Sequence, residues 1–191
     1  WVYVGGQGSD PPYRLYDFCL TRKHENAFNA LQNYQGFLHS DKYGAYERLA
    51  DYDGIDWCPC WVHIRRQFIE AESGDIDFRN LVLRRMRYLF MFERIAWNRS
   101  PAERLRIRQE KEIPIIDKLI KSIKNELING RHLPKSKYRK ALGYFCSLIP
   151  YLKNYTKHSE ARLDNNVAER AVRPLAIGRK NWLFVGSENG G

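Results

Sequence analysis

Hydrophobic residues change period partway along this sequence, and that change restricts the chain to a mixed α/β arrangement. Trp1 to Val4 is aromatic and β-branched, Gly5 to Pro12 is rich in turn formers, and Tyr13 to Leu20 alternates again. Together these segments predict a hairpin with a long loop. Ala27, Phe28, Leu31 and Tyr34 then fall at helical spacing within His24 to Tyr34. Gly36 leads into a short apolar strand, Phe37-Leu38-His39, a helix is expected over Lys42 to Asp51, and a second short strand follows Gly54, from Ile55 to Cys60.

From about His63 to Tyr155 the period is helical throughout. Ser100-Pro101-Ala102-Glu103 combines a capping serine, a proline at the first helical position and a glutamate three residues after the cap, the signature of a capping box. Ile116, Leu119, Ile120, Ile123 and Leu127 form an apolar stripe that stops at Gly130. Asp164-Asn165-Asn166 offers capping side chains to a last helix carrying Ala168, Ala171, Val172 and Leu175, which Pro174 is expected to bend or end. A short apolar strand or turn, Trp182 to Val185, is expected between glycines in the tail.

Length and a 43% hydrophobic content allow one domain with an inserted subdomain. Lys and Arg number 32 against 22 Asp and Glu, giving a formal charge of +10 that is spread along the chain. That balance points toward a polyanionic partner without identifying one. Cys19, Cys58, Cys60 and Cys146 are too few and too scattered for a disulfide scaffold. With no apolar run of membrane-spanning length and no signal-peptide pattern at the start, a cytoplasmic protein with no membrane partner is expected. The abrupt beginning on a strand and the Gly190-Gly191 end suggest a piece of something longer.

Two acidic residues stand where they could do chemistry. Asp41 follows a short strand, a position that suits a cation ligand and equally suits the cap of the next helix. Glu169 lies one turn into the last helix, where it could pair with Arg173 or, beside Arg170, Arg179 and Lys180, face metal and phosphate together. Cys58, Cys60 and His63 supply only three zinc ligands with no second pair at finger spacing, so a packing role is expected for the cysteines. Arg84, Arg85, Arg87, Arg104, Arg106 and Arg108 read as solvated helix faces.

Three segments resemble the insertion-sequence-66 family of transposases, in the family's order. They are Leu38-His-Ser-Asp-Lys-Tyr-Gly-Ala-Tyr-Glu47, Cys60-Trp-Val-His-Ile-Arg-Arg-Gln-Phe68, and Asp164-Asn-Asn-Val-Ala-Glu-Arg-Ala-Val-Arg-Pro-Leu-Ala-Ile-Gly-Arg-Lys-Asn-Trp-Leu-Phe-Val-Gly-Ser187. The likeness extends through Trp1 to Val4 and Ala141 to Tyr144. It implies an α/β fold, an RNase H-like mixed sheet flanked by helices, with a helical insertion between the last core strand and the glutamate-bearing helix. Residues 1–63 would form the first part of that core, with its first strand missing, 64–135 the insertion, and 136–191 the rest of the core with the catalytic-glutamate helix.

The resemblance further implies metal-dependent DNA cleavage and strand transfer by two aspartates and a glutamate holding two Mg²⁺ or Mn²⁺ ions. Asp41 corresponds to the second aspartate and Glu169 to the glutamate, the two metal ligands present. The first aspartate would precede Trp1, since Asp10 lies in a proline-rich loop and Asp17 on a later strand, so the fragment alone is expected to be inactive or nearly so. His63 would sit close to the site. Arg65, Arg66, Arg170, Arg173, Arg179, Lys180 and Trp182 become candidate DNA contacts, although Trp182 could also fill core. Implied partners are transposon-end and target DNA and further copies of the same protein. Two other readings share these residues: an RNase H-like nuclease limited to hydrolysis, and a catalytically incomplete remnant that binds DNA or a partner transposase.

Overall fold

The computed structural model describes residues 1–6, 11–21, 23–72 and 74–181. The expected hairpin is formed by β1 (Val2–Gly5) and β2 (Tyr13–Tyr16), antiparallel, with Val2 opposite Tyr16 and Gly5 opposite Tyr13. Any side chain at Gly5 would collide with the Tyr13 ring that crosses it. Helix α1 (His24–Leu31) leads to β3 (Gly36–Ser40), and α2 (Gly44–Leu49) carries the chain across to β4 (Ile55–Pro59). β3 and β4 are parallel, with Gly36 opposite Ile55 and Ser40 opposite Pro59, so both strands end at the same edge. Gly36 and Gly54 open these strands at φ 127° and 92°, and the Gly36 amide donates to the Gly54 carbonyl at 2.8 Å.

Where one mixed sheet was expected, the described strands form two separate two-stranded sheets, β1 with β2 and β3 with β4. Each of the four strands keeps one edge unpaired among the described residues, and no described strand bridges the two sheets.

Helices account for the rest: α3 (Trp61–Glu70), α4 (Ile76–Trp97), α5 (Pro101–Ile107), a π-helical turn (Arg108–Glu112), α6 (Ile113–Asn129), α7 (Lys137–Ser147), a 3-10 turn (Asn154–Lys157) and α8 (Asn166–Asn181). The capping box forms as the sequence predicts. Glu103 donates its amide to the Ser100 hydroxyl at 3.3 Å, and Ser100 donates its own amide to the Glu103 carboxylate at 3.2 Å. The α6 stripe faces inward, with Ile116, Leu119 and Ile123 buried. One core runs continuously from Trp57 and Cys58 on β4 through Trp61 and Phe68 to Met86, Ile123 and Phe145 on α4, α6 and α7. That shared packing couples α3 to the end of β4. Pro174 does not end α8, which runs on to Asn181, so Gly178 to Asn181, expected in the tail, belong to the helix.

Two arginines expected on solvated faces are instead buried: Arg104 is 6% exposed and Arg108 0%. The π turn places Arg108 and Glu112 both inward. Arg108 forms a two-pronged pair with Glu93 of α4, at 3.0 Å from Nε and 2.5 Å from Nη2. Its remaining donors reach the carbonyls of His158 and Ala161, each at 2.7 Å, and of Tyr155 at 3.2 Å. Arg104 lies 3.8 Å over the Trp97 ring and donates to the Ser159 carbonyl at 2.8 Å. The Glu112 carboxylate accepts from the Tyr155 hydroxyl at 2.6 Å; burial, reinforced by the charge of Glu93, pushes its pKa up to about 8.

Removing one partner of such a pair leaves a buried charge uncompensated. Arg108→Met is therefore expected to lower the unfolding free energy by about 3–5 kcal/mol in urea titrations. Arg108→Met combined with Glu93→Leu should recover most of the loss, and equal losses in the two variants would contradict this account. Glu112 has the opposite sign from a salt-bridged acid. Its folded pKa lies above the unfolded value, so stability is highest below the unfolded pKa, falls as pH rises from there, and levels off above about 8. Glu112→Gln should flatten that decline in thermal melts taken across this pH range.

Candidate active site

The parallel strands β3 and β4 end side by side, and their ends are fastened together before any candidate residue appears. Cys60 donates its amide to the Ser40 carbonyl at 2.9 Å. The buried Ser40 hydroxyl accepts from the Trp57 indole at 2.9 Å and donates to the Asp41 carbonyl at 2.9 Å. Asp41 is thus held by its backbone, while no hydrogen bond or ion pair engages its carboxylate among the described residues. It does not cap the next helix: α2 starts at Gly44, with Tyr43 in the cap position. Burial first, and the charge of Asp41 second, pushes the Tyr144 hydroxyl up to about 12.

Glu169 is positioned by a second set of contacts. Arg108 fixes the carbonyls of residues 155–161, and the next residues bond directly to the strand ends. His39 donates through Nε2 to the Arg162 carbonyl at 2.8 Å, and the Trp61 amide donates to the Leu163 carbonyl at 3.0 Å. The Asp164 carboxylate then accepts from the Asn166 amide at 3.0 Å and starts α8, as the capping run predicts. One turn later Glu169 Oε1 lies 3.5 Å from His63 Nε2 on α3. The expected alternative pairing of Glu169 with Arg173 is absent among the described residues, and the glutamate stays 41% exposed beside the histidine. From the other side, the Tyr16 hydroxyl of β2 donates to the Ala171 carbonyl at 3.1 Å, one turn before Pro174.

The histidines behind this edge are positioned but incompletely bonded. Among the described residues, Nδ1 of His39 and of His63 is buried without a partner, as is Oδ1 of Asn165. Burial lowers the His39 pKa to about 4, against the smaller opposing pull of the Arg162 carbonyl and Asp164. His39 is therefore neutral at physiological pH. With its Nε2 hydrogen given to Arg162, Nδ1 keeps an open lone pair.

The other sequence candidates divide by location. Arg65 is half-buried on α3, Arg66 is exposed, and Arg170 and Arg173 are exposed on α8. Arg179 and Lys180 continue α8, while Trp182 and the expected strand at 182–185 lie outside the described residues. Cys58 and Cys60 are buried, and burial pushes the Cys58 thiol up to about 12. Asp17 follows β2 and accepts from the Cys19 thiol at 3.3 Å, and Asp10 lies outside the described residues. Among the described residues no three His, Cys, Asp or Glu side chains cluster as a metal site. His39, Ser40, Arg104 and Arg108 carry the positioning; the sequence reading gave His39 and Ser40 no role and placed Arg104 and Arg108 on solvated faces. Only the capping run at Asp164 signalled where the segment they hold would turn into a helix.

The sequence profile described as Transposase IS66 family matches residues 1–191, the whole chain. The chain belongs to the IS66 family of transposases. Among its relatives are three proteins of Sinorhizobium fredii bearing the names uncharacterized protein y4qI, y4hP and y4jD. The first is 32% identical over 203 residues, covering 100% of this chain and 37% of the relative. The second is 29% identical over 211 residues, covering 100% and 38%, and the third 28% identical over 197 residues, covering 97% and 37%. This IS66 chain therefore spans well under half the length of these relatives. No solved structure matches it.

The Tyr16 bond is a side-chain hydrogen bond from the hairpin to α8, so its loss should be felt locally. Tyr16→Phe is expected to cost about 1 kcal/mol and to speed amide exchange in residues 168–173 while leaving α6 and α7 unchanged. Uniform acceleration across all helices would show that the hydroxyl acts on global stability instead.

Proposed function

We propose that this chain is the catalytic core of a DNA transposase that cleaves and joins strands at the ends of an insertion sequence, with Asp41 and Glu169 as metal-binding carboxylates. What supports this reading is the approach of Glu169 on α8 to His63 in the first turn of α3, the helix that follows β4, together with the bond from Cys60 to Ser40 that ties the end of β4 to the end of β3 just before Asp41. An uncommitted aspartate and a half-exposed glutamate offer hard oxygen donors, which suit Mg²⁺ or Mn²⁺. Bound there, two such ions would supply charge neutralisation at the scissile phosphate and activation of a water or 3′-hydroxyl.

The chain's own residues do the rest. Ser40 and Trp57 hold the backbone at Asp41, and the Arg162 and Leu163 carbonyls tie the approach to α8 to the strand ends. His63, 3.5 Å from the Glu169 carboxylate, is proposed to orient it. Arg66, Arg170 and Arg173, all exposed, together with Arg179 and Lys180, are the groups proposed to meet DNA phosphates. We further propose that the fold is RNase H-like. The free edges of β1 and β3 would be joined by a strand from elsewhere in the longer protein, which also brings the first aspartate. Residues 64–135 then act as the helical insertion, and assembly into an oligomer on DNA brings two ends together. No described helix is long and apolar enough to cross a membrane, which is compatible with a role on DNA in the cytoplasm.

The test uses the full-length protein and labelled transposon-end DNA with Mg²⁺ or Mn²⁺. Asp41→Asn and Glu169→Gln should each abolish cleavage and strand joining, a loss of at least a thousandfold in rate, while end binding persists. Joined products in the unmodified protein distinguish a transposase from a nuclease. Cleavage that survives either substitution would remove these carboxylates from the mechanism.

A further inference from the structure

A groove between α3 and α4 holds three arginines that form no ion pair among the described residues. Arg65 enters it from α3, Arg84 and Arg87 enter it from α4, and Asn80 and Asp77 complete its polar wall around a depression of about 520 Å³. Arg84 and Arg87 are three residues apart and share a helix face. None of the three guanidiniums has a hydrogen-bond or ion-pair partner among the described residues, and Asp77, though in the same groove, makes no ion pair with them.

Their neighbours behave differently. Arg85, between the two on α4, turns to α6 and donates to the Ser122 hydroxyl at 2.7 Å. Arg79 donates to the Ala71 carbonyl at 3.1 Å. Arg104 and Arg108 are consumed by the buried network. Three like charges brought into one groove from two helices repel each other, and the single carboxylate there leaves an excess of positive charge. A row of phosphates spaced along a strand relieves that repulsion, and the fork of donors on each guanidinium matches phosphate oxygens.

We propose that this groove is a binding site for the phosphate backbone of duplex DNA, separate from the carboxylate edge and lying on the flank of the same helix that carries His63. The inference rests on the DNA-processing reading and adds to it a place where DNA is held away from the reacting phosphate. On α3, His63 and Arg65 lie two positions apart and so point to different sides of the helix. One side faces Glu169 and the other faces the groove. A duplex seated there is anchored through backbone contacts and carries no sequence information into the groove.

The test measures binding of a fluorescent duplex oligonucleotide by the full-length protein across a salt series. Arg65→Gln/Arg84→Gln/Arg87→Gln should weaken binding roughly tenfold or more at low salt and reduce the slope of log affinity against log salt by roughly 2–3, if each guanidinium neutralises one phosphate. The matching triple change to lysine should keep most of that slope. Lys118→Gln/Lys121→Gln/Lys124→Gln removes the same charge from the exposed side of α6 and should change the slope by less than about one. Equal losses in the two glutamine triples would mean that overall charge, not the groove, binds DNA. Duplex binding by the unmodified protein with an unchanged slope in the arginine triple overturns the groove alone. Failure of the unmodified protein to bind duplex at any salt overturns the groove and the DNA reading together.

Discussion

Arg108 is the residue on which the arrangement of this domain turns. Its guanidinium is buried between Glu93 of α4 and the carbonyls of the chain that leads from the 3-10 turn to α8. A lone guanidinium in that position would be prohibitively costly, and the pairing becomes tolerable because nearly every donor finds an acceptor. Those acceptors are backbone groups in an irregular segment, so the interaction does more than neutralise charge. It gives a loop, which would otherwise choose among many conformations, one path across the protein.

That path determines where Glu169 can be. Residues 155–161 are held by Arg108 and Arg104, Arg162 and Leu163 bond to His39 and Trp61, and Asp164 turns the chain into α8. Each link is a hydrogen bond to a rigid element, a strand end or a helix start, so an error at one end is carried to the other. The helices between β4 and α8 therefore serve the site they are not part of. They share a single core with β4 and α3, and from that core they present the arginines that fix the last approach.

The same network contains a stored electrostatic conflict. Glu112 lies beside Glu93 in the interior, and burial first, the neighbouring charge of Glu93 second, pushes its carboxyl toward the protonated form. Tyr155, fully buried, donates to Glu112 and its hydroxyl is held well above its ordinary pKa by that burial and by the adjacent carboxylates. The groove arginines Arg65, Arg84 and Arg87 present the opposite case, an unmatched positive set left open to solvent. Inside, the conflict is settled by a proton. Outside, it is available to a polyanion.

Local signals in the sequence carried much of this structure. The hairpin, the short strands β3 and β4, the Ser100 capping box, the α6 stripe and the Asp164 start of α8 follow from period, turn chemistry and capping, which act over a few residues. The three motifs identified the family in the same way, because they are contiguous. What local pattern could not decide was the set of long-range choices: whether Asp41 caps a helix, whether Glu169 pairs with Arg173 or His63, whether Arg108 faces water or core, and whether the strands join one sheet. A charged residue at a given helical spacing looks the same in either setting. Its fate depends on which distant carbonyls and carboxylates packing brings within about 3 Å, where desolvation makes each hydrogen bond count. Sequence by itself determined the elements and the family; the tertiary fold alone decided which charges are buried, which are paired, and which remain free to act.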